Sequence, residues 1–96
     1  MNRATTYPLR SDKTAWRTID EEAVIVIPEE SQVKVLNATG SRIWELCDGT
    51  HSVSAIIHQI TDEFSVKPQK AEDDVTEFVS ELGKKGLLLL KNETVE

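Results

Sequence analysis

Residues 36–49 of this chain read Leu36-Asn37-Ala38-Thr39-Gly40-Ser41-Arg42-Ile43-Trp44-Glu45-Leu46-Cys47-Asp48-Gly49. An apolar strand precedes them, in which Val33 and Val35 face one way while Lys34 and Leu36 face the other. Asn37 or Thr39 caps a short amphipathic helix, and Asp48-Gly49 ends it. A second helix follows at once. This order predicts a small winged-helix-like domain, a scaffold that binds other macromolecules far more often than it performs chemistry.

The composition indicates one ordinary globular domain. Of the 96 residues, 39% are hydrophobic and 29% are charged. The net charge of −6 argues against a nucleic-acid-binding protein, because lysine and arginine supply most of the affinity for phosphate. The N-terminus lacks the apolar core of a secretory signal, and the longest apolar run, residues 86–90, is too short to cross a bilayer. We therefore expect a cytoplasmic protein with no membrane contact.

The first part of the chain predicts strands. Residues 1–13 are polar and without a clear period, so we expect a flexible N-terminal arm. Three short runs then have strand character, at residues 15–19, 23–27 and 33–36, and the second ends at Pro28-Glu29-Glu30. Tight polar connections between them predict an antiparallel sheet.

The remainder predicts helices. Ser52 caps the second helix, and the third begins near Pro68 and stops at Gly86. Residues 87–90 then form a last short strand. The predicted fold class is α+β, winged-helix-like, with an N-terminal three-stranded antiparallel sheet followed by three helices. The domain spans residues 14–91, and residues 92–96 form a C-terminal tail.

An ordered set of short motifs resembles the PqqD family over roughly residues 16–88. The set comprises Trp16-Arg17-x-Ile19-Asp20, Glu22-Ala23-Val24-Ile25-Val26, Leu36-Asn37-x-Thr39-Gly40-x-x-Ile43-Trp44-x-Leu46-x-Asp48-Gly49, Val53-x-x-Ile56, Phe64, Asp74-Val75-x-x-Phe78-Val79-x-x-Leu82 and Gly86-Leu87. The chain departs from that pattern at Glu21, where many relatives place glycine.

The resemblance implies a RiPP recognition element. Such a domain binds the leader segment of a ribosomally made precursor peptide and presents the peptide to a modifying enzyme, often a radical SAM protein. In that family the leader adds as a strand to the sheet edge and lies against the third helix. The resemblance leaves the pathway open, whether pyrroloquinoline quinone (PQQ) biosynthesis or that of another such natural product.

The residues themselves support a peptide-binding role. The strand Val33, Lys34, Val35 and Leu36 ends a small sheet, so its backbone groups are available to an extended peptide. On the third helix we expect Phe78 and Leu82 to serve both core and ligand, with Val75 nearer the ligand. Asp74 is the acid singled out by the motif. Between Gln69 and Leu82 the helix carries one lysine against five acids, which predicts a leader with a lysine or arginine opposite it.

Other interpretations compete with this one. The apolar stripe of the third helix also fits a simple core, and Trp44 fits either a core position or a partner surface. A winged-helix DNA-binding regulator would need a basic third helix, whereas this one is acidic. A structural subunit of an enzyme complex is a further alternative. An open sheet edge is compatible with a monomer or a weak dimer.

No motif predicts catalysis, a cofactor or a metal site. Cys47 and His51 are four residues apart with Asp48 between them, but a zinc site needs more ligands than these. Cys47 is best interpreted as a small buried hydrophobic residue. We expect a protein that is not an enzyme.

Overall fold

The computed structural model describes residues 1–27 and 30–94. These residues contain five strands and three helices, in the order β1 (Tyr7–Arg10), β2 (Trp16–Ile19), β3 (Glu22–Ile27), β4 (Gln32–Val35), α1 (Ala38–Leu46), α2 (Val53–Phe64), α3 (Pro68–Lys84) and β5 (Leu88–Lys91). The strands form a three-stranded antiparallel sheet in the order β2-β3-β4 and a two-stranded antiparallel sheet of β1 and β5. The predicted α+β class and the three-stranded sheet followed by three helices are confirmed.

Alternation along β3 fixes which face of the larger sheet meets the core. Ala23, Ile25 and Ile27 are buried, whereas Val26 between them is exposed. The register pairs Ile25 with Lys34, so the even positions of β4 share the core side and Val33 and Val35 lie on the opposite side. This is the orientation that the sequence predicts for the strand.

The helix caps follow from the polar residues that precede each helix. Asn37 caps α1 by accepting a hydrogen bond from the N–H of Gly40 at 2.8 Å, and Ser52 caps α2 by accepting one from Ala55 at 3.0 Å. These side chains satisfy N–H groups that have no partner within their helices. Asn37, rather than Thr39, is therefore the cap of α1.

Ser41 ties the start of α1 to the sheet. Its buried hydroxyl accepts a hydrogen bond from the N–H of Ala23 at 2.8 Å and donates one to the carbonyl of Leu36 at 3.2 Å. The hydroxyl thus completes the pairing of β3 with the residue that follows β4. The first turn of α1 is held against the end of the edge strand as a result.

The core lies between the sheet and the three helices, and Trp44 is its largest side chain. Trp44 is fully buried, with its ring centroid 5.8 Å from that of Trp16 in an edge-to-face arrangement. The guanidinium of Arg10 lies 5.2 Å from the Trp16 ring centroid and donates from Nη1 to the carbonyls of Trp44 and Glu45 at the end of α1. A cation on these carbonyls suits the helix dipole. Trp44 is therefore a core residue and not a partner-surface residue.

The N-terminal segment differs from the flexible arm expected for residues 1–13. Residues 7–10 form β1, which pairs with β5, and Thr6 and Pro8 are buried. Thr6 also accepts a hydrogen bond at its carbonyl from the N–H of Val53 at 2.9 Å. This long-range pairing is absent from the local pattern, which is why the sequence does not reveal it. The predicted break after the second strand includes residues 28 and 29, and the predicted C-terminal tail includes residues 95 and 96. These four residues lie outside the described residues.

Candidate functional site

The strand β4 lies at the edge of the three-stranded sheet. It pairs with β3 on one side, and on the other side no strand of the described residues accompanies it. The N–H of Leu36 donates to the carbonyl of Ala23 at 2.9 Å, which makes these two residues a hydrogen-bonded pair. Such pairs alternate along an antiparallel ladder, so the backbone groups of Val33 and Val35 point away from β3. We call this side of β4 the open edge.

A groove of about 360 Å³ lies between the start of α1 and α3. Its lining combines polar, charged and apolar residues: Asn37, Thr39, Gly40, Ile43, Val66, Lys70, Asp74, Glu77, Phe78 and Glu81. Phe78 is partly buried and packs on the core, so one part of its ring remains available to a ligand. The groove therefore offers an aromatic contact flanked by charged groups.

Gly40 sets the width of the groove near the aromatic ring. A Cβ atom at this position would lie 3.2 Å from Oδ1 of Asn37, 3.5 Å from Cβ of Leu36 and 3.7 Å from Cε2 of Phe78. These neighbours come from the end of the edge strand, from the helix cap and from α3. The absent side chain lets three elements approach one another without filling the groove.

One ion pair joins the open edge to the groove. Nζ of Lys34 on β4 lies 3.3 Å from Oε1 of Glu81, which also lines the groove. Glu81 is 3.7 Å from Nζ of Lys85, and Lys85 is 3.3 Å from Oε2 of Glu30. The hydrogen bond and charge of Lys34, with a smaller contribution from Lys85, hold the pKa of Glu81 below its ordinary value. A peptide that follows β4 meets this pair at the groove.

The groove is negative overall. Its acids are Asp74, Glu77 and Glu81, and its own cation, Lys70, is already paired with Asp74 at 3.0 Å. Glu77 has no cation within 4 Å among residues 1–27 and 30–94. A ligand cation therefore finds one unpaired carboxylate beside the aromatic contact. A helix with this surface is poorly suited to a nucleic-acid backbone.

The structure brings together some of the predicted site residues and separates others. Val33, Lys34 and Val35 lie at the open edge, and Asp74 and Phe78 line the groove beside it. Leu36 is buried at the end of the strand.

Val75 and Leu82 are core residues, with 0% and 1% of their surface exposed. They stand seven residues apart on the inward face of α3, so neither side chain reaches the groove. The expectation that Val75 lies nearer the ligand and that Leu82 serves both core and ligand does not fit this arrangement. Of the three, Phe78 alone both packs on the core and lines the groove.

Sequence reasoning missed the part of the lining that lies outside α3, which comprises Asn37, Thr39, Gly40, Ile43 and Val66. It counted Lys70, Glu77 and Glu81 among the charges of α3 that face a leader, but did not group them with Phe78 in one groove. A signal for α3 was present, because positions 70, 74, 77, 78 and 81 follow the three-and-four spacing of one helical stripe. The contribution of α1 depends on tertiary packing and has no local signal.

The polar cluster that follows α1 has a structural role. Oδ1 of Asp48 accepts hydrogen bonds from the N–H and hydroxyl of Thr50 and lies 3.0 Å from Nδ1 of His51. Burial raises the pKa of Asp48, but the bonds from Thr50 and His51 outweigh it and hold the pKa below its ordinary value. Burial also raises the pKa of the Cys47 thiol to about 12, so this thiol is neutral. The arrangement orders a turn and provides no nucleophile.

The described residues contain neither a candidate metal site nor a candidate membrane-spanning helix. In the part of the chain that the structure describes, no group of three or more histidine, cysteine, aspartate or glutamate side chains is placed to hold a metal ion. Among the same residues, no helix combines the length and apolar character needed to cross a bilayer.

The sequence matches one family over most of its length. Residues 22–88 match the family described as Coenzyme PQQ synthesis protein D (PqqD). A curated relative from Rhodopseudomonas palustris (strain BisB5), the PqqA binding protein, is 32% identical over 88 residues, which cover 90% of this chain and 78% of the relative. The matched segment contains the open edge and the whole groove.

Solved structures share the fold. TbiB1 in complex with the TbiA(beta) leader peptide is 32% identical, with a TM-score of 0.72 over 83% of this chain and 93% of that one. The solution NMR structure of the PqqD truncation of Methylobacterium extorquens PqqCD, a RiPP recognition element, has a TM-score of 0.70 over 93% of this chain and 94% of that one. At 20% identity the second likeness concerns the fold alone.

Proposed function

Because this chain belongs to the PqqD family, we propose that it is a non-catalytic chaperone for a ribosomally made precursor peptide. It binds the leader segment and presents the peptide to a modifying enzyme of the radical SAM class. The observation that carries the proposal is the open edge of β4, which the Lys34–Glu81 ion pair joins to the groove beside α3. The relative from R. palustris is a PqqA binding protein, and TbiB1 was solved with a leader peptide.

The leader adds to the sheet as a fourth strand. Its backbone exchanges hydrogen bonds with Val33 and Val35, the two residues whose N–H and C=O groups face the open edge. Alternate leader side chains then point toward the groove and toward the opposite side of the sheet. An apolar or aromatic leader side chain that reaches the groove contacts Phe78, which supplies selectivity that backbone pairing lacks.

Charge selects among leaders that fit this geometry. A lysine or arginine of the leader placed beside Glu77 finds a carboxylate without a cation of its own among the described residues. The carboxylates of Asp74 and Glu81 also attract this leader cation. Because these groups are partly solvated, the attraction weakens as salt shortens the screening length to about 8–10 Å at 0.1–0.15 M.

The size of the site sets the expected affinity. One added strand and one helix face bury no more than the roughly 1,600 Å² of a standard interface. Ordering a flexible leader opposes binding by about 2–5 kcal/mol. A dissociation constant between high nanomolar and micromolar is therefore expected.

We further propose that this binding domain acts in the cytoplasm. We place the peptide-binding domain at residues 14–91, with β1 packed onto it as an N-terminal extension. The neutral Cys47 thiol and the structural use of His51 fit a protein that holds a peptide for another enzyme and does not modify it.

Backbone amide shifts test the mechanism directly. Isotope-labelled chain is titrated with synthetic leader peptides from the precursor genes that neighbour its own. We expect large shifts at Val33, Val35, Gly40 and Phe78, and none at Ala55 on α2. A leader that binds without moving the amides of Val33 and Val35 contradicts strand addition.

A pair of substitutions separates backbone pairing from side-chain contact. Val35→Pro removes an N–H that points to the open edge, where proline is tolerated because β3 does not need that donor. Val35→Thr keeps the N–H and the branched side chain. We expect the proline variant to weaken leader binding by about tenfold or more, the equivalent of about 1.4 kcal/mol, and the threonine variant to bind nearly normally. Equal affinities in the two variants would exclude strand addition and favour a structural subunit.

A further inference from the structure

The three-stranded sheet carries apolar side chains on both of its faces. On the side away from the core, which we call the outer face, lie Ile19 of β2, Val24 and Val26 of β3, and Val33 and Val35 of β4. Arg17 and Glu22 share this face at its β2 side, so its apolar part is centred on the four valines. Val33 and Val35 are each 59% exposed, Ile19 is 48% exposed and Val26 is 38% exposed. Antiparallel sheets with one solvated face usually place polar residues there. Aliphatic side chains on neighbouring strands of the outer face instead indicate a surface that a partner covers.

The size of the outer face limits what covers it. The largest contiguous apolar patch on a typical monomer covers roughly 300–600 Å² and is often functional, whereas a stable complex buries about 800 Å² on each partner. Three strands of four to six residues provide a patch of the smaller size. The outer face alone is therefore too small to hold a second copy firmly, and the charge of −6 on each chain opposes self-association.

Leader binding enlarges this surface. A strand added at the open edge lies about 4.8 Å from β4, with every second side chain beside Val33 and Val35 on the outer face. The apolar surface then continues from Val24 and Val26 through Val33 and Val35 onto the leader itself. The outer face is thus continuous with the proposed peptide interface, although the groove lies on the other side of the sheet.

We propose that the outer face, completed by the bound leader, is the docking surface for an apolar patch on the peptide-modifying enzyme. This inference rests on the proposed function, since the leader supplies part of the surface. The enzyme contacts the chaperone and the leader together, so it binds the loaded chaperone more tightly than the empty one. By linkage the enzyme also tightens leader binding by the same factor. The chaperone therefore releases its enzyme most readily once the leader has left.

Val26 provides the test, because its side chain lies on the outer face while its strand is separated from the open edge by β4. Val26→Lys places a charge on the outer face, and Val26→Thr keeps the branched shape with a polar group. His58→Lys, at an exposed position on α2, controls for added charge. Two affinities are measured for each chain by biolayer interferometry: that for a synthetic leader, and that for the modifying enzyme encoded beside this gene, with and without leader.

The expected results distinguish this inference from the proposed function. Val26→Lys should bind leader within about twofold of the original chain but bind the enzyme about tenfold or more weakly in the loaded state. Val26→Thr should show a smaller loss in the same direction, and His58→Lys none.

Normal enzyme affinity in Val26→Lys would overturn the docking surface while leaving the chaperone role intact. A sedimentation profile in which the original chain is a dimer that Val26→Lys dissociates would also overturn it, because a second copy would then be the occupant. Failure of the original chain to bind any leader would instead refute the proposed function.

Discussion

Nζ of Lys34 lies 3.3 Å from Oε1 of Glu81, and this pair links the open edge of β4 to the outward side of α3. Both side chains are more than a third exposed, so the pair itself contributes little to stability, on the order of 0–1 kcal/mol. Its importance lies in its position. In the proposed mode of binding, the pair sets the charge that a leader meets between the open edge and the groove.

Neutralising Lys34 and neutralising Glu81 should change the affinity for a basic leader in opposite directions. Lys34→Gln leaves Glu81 with less cationic compensation and should strengthen binding of a basic leader by about two- to fivefold at low salt. Glu81→Gln should weaken it by a similar factor. Fluorescence anisotropy at increasing salt should show both differences shrinking. Two shifts in the same direction would indicate that the pair acts as a physical barrier and not through charge.

Gly40→Ala should narrow the groove while leaving the fold intact. The new methyl group would lie 3.7 Å from the Phe78 ring and 3.2 Å from Oδ1 of Asn37, so the cap must move by a few tenths of an ångström. Alanine favours a helix over glycine by about 0.5–1 kcal/mol, which offsets that adjustment. We expect leader affinity to fall by about threefold or more with little change in the free energy of unfolding, as measured by anisotropy and urea denaturation. Unchanged leader affinity would place the ligand elsewhere.

Ser41→Ala should destabilise the fold. The substitution leaves the N–H of Ala23 and the carbonyl of Leu36 without the hydroxyl that joins them. Loss of a buried partner lowers the free energy of unfolding by about 1–3 kcal/mol. Urea denaturation measures the change, with Ser80→Ala on α3 as the control. Equal stability of the two variants would show that the bridge by Ser41 is dispensable.

Glu21→Gly should stabilise the hairpin of β2 and β3. Asp20 and Glu21 form its two-residue turn with φ angles of +50° and +69°. Positive φ angles are unfavourable for residues that carry a side chain. Glycine would relieve strain of about 1–2 kcal/mol. This gain exceeds the free-energy cost of the extra conformational entropy that glycine gives the unfolded chain. Glu22→Gly, inside β3, should be destabilising instead. Thermal unfolding of the two variants in opposite directions would support the turn geometry, and a lower melting temperature for Glu21→Gly would contradict it.

Glu63 should contribute to acid sensitivity. Arg42 donates from Nε to Oε1 at 2.9 Å, and hydrogen bonds from Arg42 and then Gln59 hold the pKa of Glu63 below its ordinary value of 4.5. The stabilisation is therefore present above about pH 4.5 and is lost as the pH falls through the lower folded-state pKa. Glu63→Gln should make the free energy of unfolding less dependent on pH in that range. Asp62→Asn, at an exposed position, is the control, and an unchanged slope for Glu63→Gln would contradict the assignment.

Local patterns predicted the elements well and the site incompletely. The caps at Asn37 and Ser52 and the stop near Gly86 have short-range causes, so helix bounds follow from neighbouring residues. β1 contains Pro8 and pairs with residues about eighty positions away, which no local period records. Periodicity also marks the whole apolar stripe of α3 without showing that Val75 turns inward while Phe78 reaches the groove. That distinction depends on how α3 packs against the other elements, which the periodicity of one helix does not record.

Because only Val33 and Val35 direct their backbone groups to the open edge, β4 offers pairing positions to a guest strand at intervals of two residues. A guest chain displaced by one position would present the wrong half of its side chains to Phe78, and its next acceptable placement is about 6.8 Å further along. The register of a paired guest chain would therefore change in steps of two residues. A guest with one extra residue within the paired segment would need a bulge to keep the same side chains beside Phe78.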